Sequence, residues 1–289
     1  MSSAVRSAWW ARTWARTWAW TRARTGAWSA EGLDALYPPS CWVCGAWAID
    51  AFACDEHRLT RSNRSPPTGL AGPPRFERAR CARCALRLPR GVPAGERCVE
   101  CRRVPPAFVH TFVCGDWGPG PLREWVLAFK HGGRRELARP LAGALRAVLG
   151  ERAAEFDVVV PVPLHPLRRL SRGYDQAQRL ASEFAELADL RVARCLVRIR
   201  RTPPQGAPGA VSRAANVRAA FRLRRFAARS VSGRRVLLVD DVVTSGATVR
   251  ECAAVLARAG AAEVAVAALA RAGDRAHAFD GSDLDPPPE

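Results

Sequence analysis

Between residues 107 and 272, short apolar runs alternate with stretches of helical period. The runs Phe156-Asp-Val-Val-Val-Pro-Val162, Arg235-Val-Leu-Leu-Val-Asp240 and Glu263-Val-Ala-Val-Ala-Ala-Leu269 lack the polar alternation of a half-exposed strand. They predict parallel strands buried on both faces. The whole pattern predicts strands over 108–114, 157–162, 195–200, 236–240 and 263–269, and helices over 121–131, 134–149, 174–189 and 247–259. Strands alternating with helices imply an α/β fold with a doubly wound parallel sheet. Ligands in such sheets bind at the carboxyl ends of the strands. Pro105-Pro106 marks the start of this domain, and 273–289 is expected to be a disordered tail.

The chain before it has a different character. Residues 1–30 hold six Trp, five Arg and no acid, with repeats of Ala-Arg-Thr-Trp. That composition predicts a low-complexity extension rather than a packed element. Gly32–Tyr37 is a short helical turn closed by Pro38-Pro39. Residues 61–74, rich in Ser, Pro and Gly, form a linker.

Composition narrows the picture. Of 289 residues, 48% are hydrophobic, which excludes wholesale disorder. The net charge of +18 suggests an anionic partner, such as nucleic acid or a phosphate-rich metabolite. The basic residues are Arg with one exception, Lys130, a skew that fits a GC-rich genome and makes charge a weaker guide to partners. No run of 18 uncharged apolar residues occurs, so no membrane span is expected.

Seven of the ten cysteines and one histidine make four pairs, each with two residues between partners. These are Cys41/Cys44, Cys54/His57, Cys81/Cys84 and Cys98/Cys101. A C-x2-C turn lets two thiolates converge on one tetrahedral ion, and a structural zinc takes four such ligands. Taken in order, the pairs give one site of three cysteines and a histidine (Cys41, Cys44, Cys54, His57) and one all-cysteine site (Cys81, Cys84, Cys98, Cys101). A crossed pairing satisfies the same spacing. Residues 31–104 therefore read as a double zinc ribbon holding two structural zinc ions. With the cysteines used as ligands and no secretory signal pattern before them, the expected compartment is the reducing cytoplasm.

Val236-Leu-Leu-Val-Asp-Asp-Val-Val-Thr-Ser-Gly-Ala-Thr248 carries the most chemistry. An apolar strand ends in two carboxylates, then a loop of hydroxyl residues and Gly leads into a helix. Thr244, Ser245, Gly246, Ala247 and Thr248 place backbone N–H groups and hydroxyls at a helix N-terminus, a cradle for phosphate. Asp240 and Asp241 can accept hydrogen bonds from vicinal hydroxyls such as those of a ribose. Together they describe a ribose 5-phosphate site.

This string resembles the PRPP-binding motif of type I phosphoribosyltransferases. With Pro161-Val-Pro-Leu-His165, Arg172-Gly-Tyr-Asp-Gln-Ala177, Arg201-Thr-Pro-Pro-Gln205, Arg213-Ala-Ala-Asn-Val217 and Leu269-Ala-Arg271, it resembles the ComF family, the competence protein F and GntX-like proteins, over residues 33–272. The resemblance implies a zinc ribbon joined to a type I phosphoribosyltransferase-like domain that binds PRPP with Mg²⁺. Asp240 and Asp241 would be the catalytic, ribose-holding pair, and Thr244–Thr248 the 5-phosphate loop. Pro163, on the loop after strand 157–162, would lie against the pyrophosphate, with Arg168, Arg169 and Arg172 nearby to counter its charge. Lys130, in the family's Phe-Lys segment, would reach the PRPP or stand as a solvated helix end. Arg201, Gln205, Arg213 and Asn216 would belong to a flexible loop closing over the site. Two positions depart from the common family strings: Asp175 stands where Asn is usual, and Ser245 where Thr is usual. Hypoxanthine-guanine enzymes carry an acid where this chain has Thr244, which disfavours a 6-oxopurine acceptor. The resemblance implies an association with DNA uptake and natural competence. The chain is then either a phosphoribosyltransferase for an unidentified acceptor or a non-catalytic PRPP sensor that binds single-stranded DNA, with DNA-uptake proteins as further partners.

Overall fold

The computed structural model describes residue 41 and residues 78–164, 173–200 and 219–273. The chain divides into two compact units, Met1–Cys54 and Asp55–Glu289. In the first, only Cys41 is described, and it is buried.

The elements of the second unit are α1 (Val99–Arg103), β1 (Thr111–Asp116), α2 (Pro121–His131), α3 (Ala138–Leu149), β2 (Val158–Pro161), α4 (Gln176–Ala188), β3 (Arg191–Val192), β4 (Leu196–Arg198), β5 (Phe221–Leu223), β6 (Arg235–Val243), α5 (Ala247–Arg258) and β7 (Glu263–Arg271). Five strands form a parallel sheet in the order β1-β7-β6-β2-β3, and β4 and β5 pair as a separate antiparallel ribbon. The predicted strand 195–200 thus lies outside the main sheet, whose edge is the two-residue β3. The predicted strand 108–114 becomes regular only at Thr111. Before it the Val109 N–H already donates to the Val264 carbonyl of β7 at 2.8 Å and the His110 carbonyl accepts from Val266 at 2.9 Å, while the Phe108 carbonyl and the His110 ring meet the cysteine segment. The predicted helix 134–149 opens as a 3-10 turn, Arg135–Leu137, before α3.

β6 is the central strand, flanked by β2 and β7, and its apolar run is explained by that position. Val236 to Val239 are fully buried. Successive residues of a strand face opposite sides, so a solid apolar run requires cover on both. Val236 and Leu238 join a cluster with Cys252 and Leu256 of α5 and Phe221 of β5. Leu237 and Val239 lie on the other face, where α3 and α4 pack together and α4 meets β6. Burying a side chain of this size is worth about 1.5–3 kcal/mol each.

The helices start where the chain supplies their signals. Pro121 opens α2 after Gly120, and Trp125, Val126 and Phe129 form its buried stripe. Asp175 caps α4, accepting from the Gln178 N–H at 3.0 Å. Gly246, in the left-handed region at φ 80°, precedes α5. No described helix is long and apolar enough to cross a membrane.

Candidate functional site

β6 does not stop at its carboxylates. It pairs with β7 through Val242 opposite Ala270 and Val243 opposite Arg271, so the predicted end at 240 falls three residues short. The apolar Val242 and Val243 remain buried and keep the register. Each carboxylate accepts from the next backbone N–H: Asp241 N–H to Asp240 Oδ1 at 2.8 Å, and Val242 N–H to Asp241 Oδ1 at 2.6 Å.

On the α2 side, Lys130 Nζ lies 3.0 Å from Asp241 Oδ1, with both side chains mostly buried. The ammonium also sits 5.5 Å from the centre of the Trp117 ring. On the α5 side, Asp240 is partly buried, and desolvation pushes its carboxyl up to about 8. The neighbouring charge of Asp241 raises it further, and Lys130 opposes the rise.

Thr244 and Ser245 are exposed at the sheet's carboxyl end, and Gly246 turns the chain into α5. A Cβ at Gly246 would make an ordinary contact with the Val243 side chain at 4.0 Å, but its left-handed φ is costly for any L residue. The Ala247 N–H approaches Ser245 Oγ at 3.4 Å. Behind the loop, the Ala272 N–H donates to the Val243 carbonyl at 2.8 Å. Arg271, 5% exposed, donates to the Val243 carbonyl at 3.2 Å and to that of Thr244. The sequence places Arg271 in a motif without giving it a task; its position beside the loop follows from the register of β7.

After β2, the Val162 N–H bonds to the Val239 carbonyl at 2.8 Å, which carries Pro163 to the same end of the sheet. The Leu164 N–H donates to Asp175 Oδ2 at 3.1 Å. Asp175 thus caps α4 with one oxygen and fastens the segment after β2 with the other. A capping acceptor is what Asn would also supply, so the departure from Asn is accommodated. A cleft here is lined by Pro163, Leu164, Asp175 and three arginines, Arg194, Arg198 and Arg224. Arg168, Arg169 and Arg172, and the loop candidates Arg201, Gln205, Arg213 and Asn216, lie outside the described residues.

The second cysteine tetrad is assembled. The Sγ atoms of Cys81, Cys84, Cys98 and Cys101 all lie within 4.8 Å of one another, and all four residues are buried. Cys84 and Cys98 sulfurs are 3.7 Å apart. That is far beyond a disulfide at about 2.05 Å and close to the ~3.8 Å edge of a tetrahedron with Zn–S bonds near 2.3 Å. The Cys98 N–H points at Cys81 Sγ at 3.2 Å. Hydrogen bonding from Cys101 holds the Cys81 thiol far below its ordinary range, and the same contact pushes Cys101 far up. Four crowded sulfurs cannot all ionise without a cation among them, so this donor set fits one zinc ion with no open position. Of the first tetrad, Cys41 alone is described; Cys44, Cys54 and His57 lie outside the described residues.

This knuckle is packed into the α/β core. Its cysteines belong to the cluster that contains Val236 and Leu238. Arg80 donates to Asp116 at the end of β1 at 2.7 Å, and Arg83 to the Phe108 carbonyl at 3.0 Å. Arg250 of α5 donates to Cys101 Sγ at 3.1 Å, and Arg271 to the Cys84 carbonyl at 2.9 Å.

Residues 140–284 match the family described as phosphoribosyl transferase domain. The chain is 31% identical to the DNA utilization protein YhgH of Escherichia coli strain K12 over 246 residues, covering 81% of this chain and 97% of that protein. It is 31% identical to competence protein F of Haemophilus influenzae over 183 residues, 61% of this chain and 79% of that one. Among solved structures, glutamine phosphoribosylpyrophosphate amidotransferase from B. subtilis aligns at 24% identity with a TM-score of 0.32, covering 50% of this chain and 30% of that one.

Proposed function

Because the chain belongs to the ComF family of phosphoribosyl transferase domain proteins, we propose that it binds PRPP with Mg²⁺ at the carboxyl end of β6 and acts on DNA during its uptake or utilisation. The observation that carries this reading is the continuous strand–loop–helix of residues 235–258. Its two carboxylates precede a loop that opens onto a helix N-terminus. The 5-phosphate takes the N–H groups and hydroxyls of Thr244–Thr248, with the helix dipole behind them. Asp240 and Asp241 receive the ribose hydroxyls, with the Lys130 ammonium 3.0 Å from Asp241 Oδ1. Pro163 and its neighbours face the pyrophosphate, with Arg172 from the segment beyond. Mg²⁺, when bound with PRPP, neutralises the pyrophosphate charge. The zinc ions are structural, and the protein works in the cytoplasm.

The names of the relatives in Escherichia and Haemophilus, together with the +18 charge, favour a DNA-directed role over small-molecule salvage alone. A PRPP sensor that binds single-stranded DNA and a phosphoribosyltransferase share the same ligand site, and one assay separates them. Calorimetry with PRPP and Mg²⁺ is expected to show saturable binding, and ligand at 100 times its Kd stabilises the fold by about 2.7 kcal/mol. Pyrophosphate release across a panel of bases then marks an enzyme, and binding without release marks a sensor. No binding at millimolar PRPP overturns the reading.

A further inference from the structure

Arg250 and Arg271 connect the phosphate loop to the cysteine knuckle at both of the loop's ends. Arg271 stands at the loop's entry. Its hydrogen-bond partners are all carbonyl oxygens: Val243 at 3.2 Å, Thr244, Ala272 and, across the gap to the knuckle, Cys84 at 2.9 Å. Arg250 stands at the exit, in the first turn of α5. Its backbone N–H closes on the Gly246 carbonyl at 2.9 Å. Its guanidinium reaches Cys101 Sγ at 3.1 Å and the Val104 carbonyl at 2.7 Å. One arginine therefore holds the first C-x2-C turn, and the other holds the second.

The consequence for the loop comes from peptide geometry. The chain has no cis bond among the described residues, and in a trans peptide the C=O and the following N–H point in opposite directions. Turning the Val243 and Thr244 carbonyls back onto Arg271 aims the N–H groups of Thr244 and Ser245 away from it, toward the open side where a phosphate is received. The charges agree with the geometry. Four thiolates around one Zn²⁺ carry a net −2, which two guanidiniums offset on the knuckle side.

We propose that Arg250 and Arg271 are positioning residues that make the shape of the phosphate loop depend on the metal-bound knuckle, so that filling one site changes the other. This rests on the reading of residues 244–248 as the phosphate site. Coupling of this kind is reciprocal in binding free energy, and groups that hydrogen-bond to metal ligands typically change metal affinity about 10–100-fold when removed.

The test uses the full chain with Co²⁺ replacing zinc, because thiolate-to-cobalt absorption reports the surroundings of the Cys101 sulfur. Titration with PRPP and Mg²⁺ is expected to shift that band along the calorimetric binding curve. Arg250→Ala, a change at a half-exposed side chain, removes the shift, and Arg250→Lys restores part of it. Arg271→Lys weakens PRPP about tenfold while retaining cobalt. The loop is also perturbed without ligand: Gly246→Ala, placed at φ 80°, is expected to move the cobalt band by itself. If the wild type binds PRPP but the band stays fixed, and Gly246→Ala leaves it fixed too, the coupling is overturned and the site reading stands. If the wild type binds no PRPP, the site reading fails, and the Gly246→Ala spectrum alone decides whether loop and knuckle communicate. Should Arg271→Lys fail to fold, the two Arg250 variants carry the decision.

Discussion

Asp240→Asn is expected to stabilise the protein increasingly as pH rises from about 4 to 8. Burial, reinforced by Asp241, pushes the Asp240 carboxyl up to about 8, against the pull of Lys130. An unfolded Asp titrates near 3.9. Below that value both states hold the proton, and Asp240 carries no penalty. Above it the unfolded chain sheds its proton while the native chain keeps it, so stability falls as pH rises and the loss is complete above about 8. Each pH unit in the window is worth about 1.4 kcal/mol, or about 2.7 kcal/mol between pH 5 and 7. In a folded unit of this size 1 kcal/mol moves Tm by about 2–4 °C, giving about 5–11 °C over that interval. Residual access to water favours the lower half of the range. Asn keeps the shape and removes the proton. The other charged or titratable groups acting on this position are Lys130, Asp175 and Asp241, with Cys252 facing it from α5. They remain in both proteins, so the difference curve isolates Asp240. Scanning calorimetry of both proteins from pH 5 to 8 measures it. A Tm difference that is flat within about 1 °C would refute the assignment of a buried, proton-retaining Asp240.

Cys81→Ser is expected to remove one zinc per chain by elemental analysis, with the far-UV dichroism of the parallel sheet retained. Asp175→Ala removes both the α4 cap and the acceptor for Leu164, and should cost about 1–2 kcal/mol in a denaturant titration; Asp175→Asn should cost less, since the cap survives. Binding of single-stranded DNA should weaken with salt at a log–log slope of about −0.7 per phosphate neutralised. Replacing Arg168 and Arg169 together with Ala should flatten that slope in a fluorescence titration, and a flat wild-type dependence would remove the electrostatic basis for DNA binding.

The central strand and its loop were legible because their signals are local. An apolar run, two acids, hydroxyls and a glycine succeed one another within the segment 236–248. The C-x2-C spacing of the second tetrad was legible for the same reason. The continuation of β6 to Val243 was not, because two adjacent carboxylates read as a strand end until β7 supplies a partner for each residue. β3 and β5, at two and three residues, are too short to show a period. Lys130 could be placed on a helix end, but its approach to Asp241 is set by the packing of α2 against the sheet. Of the arginines that back the loop, Arg250 was hidden by abundance in a chain this rich in Arg, and Arg271, though part of a quoted segment, owes its place beside the loop to the register of β7.

Lys130 is the chain's one lysine, and it lies against Asp241 with its side chain 16% exposed. An amine-directed acylating reagent therefore meets two primary amines in the protein, the N-terminus and the proposed ligand site. Acylation at Lys130 cancels the counter-charge of Asp241, and lysine is the residue on which cells place such groups. Labelling stoichiometry becomes a direct gauge of occupancy. A ligand lying over the β6 carboxylates should shield one amine and leave the other reactive.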